Sequence, residues 1–419
     1  MLEVLRNAWK IQELRKKILY TLFMLFVFRI GSFVPIPGIS HAHLSSAIAD
    51  NSLLYLLDMF NGGALSNYTL FAAGITPYIT ASIVFQLLTM AIPRLEALQK
   101  EGEEGRKKIA QYTRYAGIAM ALIQSVGILL TLGPAAVTST AWYNYATIGI
   151  VLSAGTAICM WIGERITEHG IGNGISLLIF INIVAKMSSS IFLGIKGIID
   201  DPSLVWVAPV TLVGSLLIIV AIVFVDMGQR RIPVQYAKRV VGRKLYGGQS
   251  THIPLKVNNA GVMPIIFAMT IVSFPGMLIS MFFKTSRFGQ AYARVMANGS
   301  LLYGIITALF IILFTYFYST VSFNPIEISK SIQQNGGFIP GIRPGKATSD
   351  YLARISSRIT LFAALFFAAL ATIPMIITAR TGASPLGATS VLILVGVALE
   401  TSKQLESHLL MRHYKGFLK

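Results

Sequence analysis

Charge is scarce in this chain and mostly of one sign. Charged residues make up 12% of 419 positions, and 17 acidic side chains face 35 basic ones, for a formal charge of +18. So few ionic groups cannot solvate the surface of the two or three soluble domains that this length would otherwise suggest. Cysteine is nearly absent: Cys159 stands alone inside an apolar run, so no disulfide can form within the chain. HExxH and CxxC are missing, and the six histidines are scattered, with His41 and His43 the one close pair. No metal centre and no cofactor is therefore expected. GIRPGKATS, residues 341–349, falls short of a phosphate loop, because three residues separate Gly341 from Gly345 and Ala347 stands where Ser or Thr is needed. GIGNG at 170–174 follows a turn, not a strand, and is no dinucleotide fingerprint. With no catalytic constellation in sight, the chain does not read as an enzyme.

What is abundant is apolar sequence. Hydrophobic residues are 54% of the chain and the mean hydropathy is +0.67, the composition of an integral membrane protein. A helix crosses a hydrocarbon core of roughly 30 Å with about twenty residues. Ten runs of that kind recur, at 18–37, 70–92, 115–133, 146–164, 173–192, 207–226, 260–283, 301–321, 357–377 and 388–406. The first follows Arg15-Lys16-Lys17 as a signal peptide would. No small-residue cleavage site comes after it, only Pro35-Ile36-Pro37-Gly38, so it is kept as a permanent span.

Orientation follows from the basic residues. If the runs cross in turn, 28 of the 35 fall on the side of the N-terminus and six on the other, Lys186, Lys196, Lys284, Arg287, Arg294 and Arg380, with Arg29 inside the first span. The positive-inside rule then places both termini in the cytoplasm, as an even number of spans also requires. Most of these cations serve topology and contact with anionic lipid headgroups. Two long cytoplasmic loops, 227–259 and 322–356, exceed what a connector needs. The first carries seven basic residues with Tyr236 and Tyr246 among them, which suits an acidic partner, either ribosomal RNA or the acidic surface of a protein. The outer loop 284–300 is unusually basic for its side.

The second and seventh spans break alike, with AGITP at Ala73–Pro77 and AGVMP at Ala260–Pro264. These are the second spans of two five-span halves, 1–195 and 196–419, so the halves run through the membrane in opposite senses. Interruptions at matching places point to an inverted repeat with the functional path between the halves, although five residues can also match by coincidence. Non-helical backbone at membrane depth implies a cavity, because lipid offers no hydrogen bonds. Residues 61–69, too polar to face lipid, suit a segment tucked into a vestibule ahead of a half-span beginning at Ile75. A secondary transporter of a small solute fits broken helices equally well. Ionisable groups in the runs are few, Arg29 and, near span ends, Glu164 and Glu400 being the ones singled out, and that shortage argues against it.

Long strings along essentially the whole chain carry a resemblance. They include VFRIGSFVPIPGI (27–39), FNGGALS (60–66), GITPYITASIVFQLL (74–88), EGEEGRKKIAQYTRY (101–115), GERITEHGIGNGIS (163–176), GQRRIPVQYAKR (228–239), GGQSTHIPLKVNNAGVMPIIFA (247–268), NPIEIS (324–329) and GFIPGIRPGK (337–346). On these the chain resembles the bacterial SecY family, the main subunits of the Sec protein-conducting channel. The resemblance implies an all-α membrane protein, ten helices in two inverted halves around a central pore, and no enzymatic activity. It implies a pore ring of Ile75, Ile79, Ile179, Ile183, Ile266 and Ile393. From the residues alone each of these isoleucines is equally well explained by packing or lipid contact, though the pairs at four-residue spacing share a helix face. A plug is implied over about 60–72, from Phe60 through Asn61, Gly62, Gly63, Ala64, Leu65, Ser66 and Asn67. It is expected to be a short, weakly held helix on the external side of the ring. A lateral gate is expected with Thr80, Gln124, Phe274 and Leu278, and a motor- or ribosome-binding surface with Arg231, Arg243, Lys244 and Arg343. Many relatives have Arg where Lys244 stands, so charge is kept and bidentate geometry lost. The implied partners are SecE and SecG subunits, the SecA motor, the ribosome, signal sequences with the translocating polypeptide, and anionic lipids. The implied location is the bacterial cytoplasmic membrane.

Overall fold

The computed structural model describes residues 2–39, 58, 61–132, 137, 139, 141–200, 207–236, 239–241, 244–246, 250–283, 286–296, 300–381 and 388–416. Phe60, Arg243 and the His41/His43 pair lie outside them. The chain is mostly helical, and each of the ten apolar runs overlaps one helix. These are α2 (Gln12–Gly31), α3 (Thr76–Ala91), α5 (Glu103–Leu132), α6 (Trp142–His169), α7 (Gly174–Asp200), α8 (Val207–Met227), α9 (Met263–Phe282), α11 (Leu301–Ser322), α13 (Lys346–Thr381) and α14 (Ala388–Gly416). Four more helices among the described residues lie between or beside them: α1 (Leu2–Lys10), α4 (Pro93–Lys100), α10 (Arg287–Val295) and α12 (Pro325–Gln334). Among the described residues, four helical stretches have by themselves the length and hydropathy to cross a membrane, 103–130, 142–169, 301–334 (α11 running on into α12) and 346–374. The chain bends by 99° between α3 and α4, where Pro93 opens the second helix.

The matching breaks of the second and seventh spans have matching backbone geometry. Gly74 and Gly261 both take positive φ, 58° and 67°. The next residue caps the helix, Ile75 at φ −98°, ψ −8° and Val262 at φ −90°, ψ −16°. Pro77 and Pro264 then fall in the first turn, where a missing N–H costs nothing because that donor has no helical partner. One local sequence thus starts α3 and α9 in the same way. Their start lies beneath a shared apolar core to which α2, α3, α6, α7, α8, α9, α11, α13 and α14 all contribute, with Ile83, Ile166, Leu178, Ile265, Ile311 and Ile393 fully enclosed.

The two long loops, 227–259 and 322–356, are not connectors. They fold together as one small unit with its own core. β1 (Gln229–Tyr236) pairs antiparallel with β4 (Ser250–Lys256) on one side and with β5 (Gly337–Phe338) on the other, in the order β4-β1-β5, with Ile232 opposite Ile253. Between β1 and β4, β2 (Arg239–Val241) and β3 (Lys244–Tyr246) form a two-stranded ribbon. Alternation along β1 turns Ile232 and Val234 inward and Arg231, Pro233 and Gln235 outward. The inward pair packs with Leu255 of β4, Ile332 of α12, Ile339 just past β5, and Leu352 and Ile355 of α13. α13, with 36 residues, is long enough at 1.5 Å each to leave the bilayer and reach this unit.

Val234 is fully buried there. Val234→Asp places an unpaired carboxylate in that core, at a cost of several kcal/mol. The expected outcome is rapid protease cleavage within 227–259 while the protein stays membrane-integrated; a cleavage pattern unchanged from the parent would contradict the shared core.

Candidate functional site

Residues 61–75 are a run of turns at the level where α3 begins, and the expected plug helix is not formed among the described residues. The reason is conformational. Gly62 and Gly63 take φ of +64° and +85°, and Tyr68 takes +43°, so no stretch of right-handed helix can run through them. Nor is the segment weakly held. Asp58, with a side chain 1% exposed, pairs its Oδ2 with Nζ of Lys186 on α7 at 2.6 Å. Ser66 donates its backbone N–H to Oδ1 at 2.8 Å and its hydroxyl to Oδ2 at 2.6 Å. Asn61 donates from Nδ2 to the Ala72 carbonyl at 2.6 Å. The Ile36 N–H bonds the Tyr68 carbonyl and the Leu70 N–H bonds the Val34 carbonyl, tying the segment to the chain that leaves α2. Each of these bonds satisfies a polar group that lipid could not.

Close approach also fixes the segment. A Cβ on Gly62 would sit 2.9 Å from Cα of Asn182 on α7, and one on Gly74 would collide with the side-chain oxygen of Asn61. With φ positive at both, only glycine fits without strain.

Against this segment lies a cavity of about 30 Å³, room for a water molecule or two. It is lined by Asn61, Ile75, Thr76, Ile79, Ile179, Asn182, Ile266, Met269, Thr270 and Ser273. Four of the six expected ring residues therefore meet at one place, from α3, α7 and α9. Ile183 and Ile393 are buried in the same core cluster, 1% and 0% exposed, without lining the cavity. Two hydroxyls of the wall turn back on their own helix. Thr270 donates to the Ile266 carbonyl and Ser273 to that of Met269, both at 2.7 Å. The wall is thus more apolar in effect than its composition suggests.

The expected gate residues divide. Thr80 and Gln124 are buried, 4% and 3% exposed, while Phe274 and Leu278 are half-buried. Thr80 spends its hydroxyl on the Thr76 carbonyl at 3.0 Å. α9 packs against both α3 and α5, and α11 reaches α3 through the Tyr318 hydroxyl, which donates to Oε1 of Gln86. Phe267 of α9 meets Phe314 and Tyr318 of α11 edge-on, centroids 6.2 and 5.2 Å apart. Of the basic set, Arg231 and Arg343 are exposed on the small unit built around β1, and Lys244 lies in β3 opposite Val241.

The comparisons agree with this architecture. A family model described as SecY matches residues 69–402. The chain belongs to the SecY family. It is 43% identical to the protein translocase subunit SecY of Streptomyces coelicolor over 441 aligned positions, covering 100% of both chains. A SecY structure whose plug domain is described as stabilising the closed state of the translocation channel superposes with a TM-score of 0.68 at 20% identity, over 94% of this chain and 92% of that one. Sec61 in the canine ribosome-channel complex gives 0.64 at 19% identity, with the same coverage.

Reasoning from sequence missed Asp58, Lys186, Asn182, Met269, Thr270, Ser273, Gln86 and Tyr318. Lys186 was counted among the outer-side cations, yet it falls inside the run 173–192, and a lysine within a span calls for a partner. The partner is Asp58.

Removing one member of a buried pair costs about 3–5 kcal/mol, because the other charge is stranded. Asp58→Asn should therefore raise amide hydrogen exchange across 61–74, with a smaller added effect when Lys186→Met is combined with it. Strictly additive effects of the two changes would contradict direct coupling.

Proposed function

We propose that the chain is the channel-forming subunit of a protein translocase in a bacterial cytoplasmic membrane, with both termini cytosolic. It passes unfolded polypeptide across the bilayer and releases sufficiently apolar segments sideways into it. The observation that carries this reading is the buried, non-helical segment 61–75 seated against a cavity ringed by isoleucines from three helices, in a chain of the SecY family. Bare polypeptide cannot cross hydrocarbon, since every unsatisfied peptide group costs several kcal/mol. A wet path between helices removes that cost and asks for no energy source within the chain.

In this reading the ten helices form two inverted halves, 1–195 and 196–419, and the like starts of α3 and α9 support the pairing. Ile75, Ile79, Ile179, Ile183, Ile266 and Ile393 form a gasket that yields to a chain of any sequence and excludes ions by dewetting when empty. Residues 60–72 are the plug beneath it. Asp58, Lys186 and Ser66 hold the plug in its seat until a translocating chain displaces it. Thr80, Gln124, Phe274 and Leu278 line the lateral gate, which the Tyr318–Gln86 hydrogen bond and the Phe267 contacts keep shut. A signal sequence opens the gate by binding the open arrangement better than the closed one.

SecE and SecG subunits complete the assembly. Arg231, Arg243, Lys244 and Arg343 offer the SecA motor or the ribosome a cationic surface on the cytoplasmic unit. Anionic lipids meet the basic cytoplasmic face. A Sec61 relative in fold was captured on a ribosome, which supports a docking role for these loops. A solute transporter would need ionisable groups free to bind a coupling ion. The Asp58–Lys186 pair is committed to the plug segment, and the family is one of translocase subunits.

Two measurements test the reading. Replacing Ile79, Ile179 and Ile266 together by Gly should raise the resting ion conductance of reconstituted channels; conductance as low as the parent's would overturn the gasket. Tyr318→Phe removes a hydrogen bond worth about 1 kcal/mol, which shifts the closed–open balance roughly five-fold. Export of a preprotein with a weakened signal sequence should increase accordingly, and no increase would exclude this bond as a latch.

A further inference from the structure

The outer ends of α9 and α11 are bridged by α10, the nine residues Arg287–Val295. Ser286 caps it, its side chain accepting the Phe288 N–H at 3.3 Å. At one end Phe288 meets Phe283, just past α9, edge-on with centroids 6.5 Å apart. Further along, Tyr292 comes within electrostatic reach of Tyr303 in the first turn of α11. Connectivity alone places this helix at the bilayer surface, since apolar helices lead into and out of it.

Its sequence is two-sided. Phe288, Tyr292 and Val295 recur at spacings of four and three, on one face. Phe288 is 62% and Val295 43% exposed, and Phe282 and Phe283 beside them are 65% and 52% exposed. Large apolar side chains gathered in this way do not stand in water without reason. Arg287 and Gln290 are exposed on the flank. Residues 284–300 hold Lys284, Arg287 and Arg294 with no acidic residue, and the chain has none between Asp226 and Glu327. These three cations lie on the side that the positive-inside rule leaves poor in charge, so setting topology does not account for them. An apolar face with a basic flank at a bilayer surface matches the phospholipid interface, which is apolar below and phosphate-bearing above.

We propose that α10 is an interfacial helix that seats Phe288, Tyr292 and Val295 in the outer headgroup boundary and draws anionic phospholipid through Arg287 and its basic neighbours. It thereby ties together the outer ends of α9 and α11, the two helices that form one side of the gate.

The test uses the full chain in nanodiscs in a Cys159→Ala background, with a nitroxide on Val295→Cys or Gln290→Cys so that Phe288 and Tyr292 stay intact. Collisions with oxygen and with a water-soluble nickel chelate report depth. In discs rich in phosphatidylglycerol, the label at 295 should favour oxygen and the label at 290 nickel. Replacing phosphatidylglycerol by phosphatidylcholine, or changing Arg287 and Arg294 to Gln, should raise nickel access at 295 several-fold. Nickel reaching 295 as readily as 290 would overturn the proposal by placing the helix in water. Shelter of 295 from both collision partners would overturn it by showing protein on that face. Equal depth in both lipids would overturn the anionic preference. Because the readout is depth and not conductance, its failure is separate from any failure of the channel reading.

Discussion

A charge taken out of water has to be paired, and that requirement fixes the centre of this molecule. Asp58 is fully enclosed and meets Lys186 at 2.6 Å. Lys186 stands three and four residues beyond Ile183 and Asn182 on α7, so the ion pair sets where the turns of 61–75 lie against that helix. Ser66 completes the carboxylate's hydrogen bonds from within the segment. The attraction in a low-dielectric interior is large, and so is the desolvation it has to offset. Such a pair adds little net stability while intact and is strongly unfavourable to break by halves. That asymmetry suits a part proposed to have a seated and an unseated state.

The remainder of the site follows from having non-helical backbone at that depth. Glycine is needed at 62 and 74, where the chain turns with positive φ and passes close to Asn182 and Asn61. α3 can begin only after the turn, and it does so as α9 does, with a capping residue in the right-handed region and a proline in the first turn. The two starts bring Ile75, Ile79 and Ile266 to one cavity with Ile179. The Thr270 and Ser273 hydroxyls in the wall are spent on their own helix, which leaves Asn61 and Asn182 as the polar amides among the isoleucines. Weak, non-directional packing of this kind suits a seal that has to reshape around each passing chain. Directional bonds are kept for the places proposed to switch between two states, the ion pair at the plug and Tyr318 with Gln86 at the gate.

Much of this was legible from apolar runs, charge bias and two five-residue breaks. The helices and the vestibule segment stood out because each depends on local pattern, whereas the isoleucines on α3, α7 and α9 came from the resemblance alone, since packing or lipid contact explains each of them equally well. What stayed hidden depends on contacts distant in sequence. Asp58 and Lys186 are 128 residues apart, and no periodicity connects them. The plug over about 60–72 is a helix by resemblance, yet paired glycines and the bonds of Asp58 and Asn61 hold its described residues in turns. The small β-sheet unit was legible in principle: Ile232 and Val234 alternate with exposed neighbours as a strand should, but its core closes only with α12 and α13, a hundred residues further on. Ile393 shares the core with the ring while standing off the cavity, because resemblance assigns a helix face and packing decides which side chains reach the axis.

The central claim is that a translocating chain passes between α3, α7 and α9 at the isoleucine ring. The most direct measurement places a single cysteine at Ile266, in a background lacking Cys159, and probes it in vesicles against a stalled secretory chain carrying one cysteine. The account predicts a disulfide that forms when a motor or ribosome engages the channel and is absent without one, with no disulfide from a cysteine at the outward-facing Phe224. Active export in the same vesicles with no crosslink at Ile266 would contradict it.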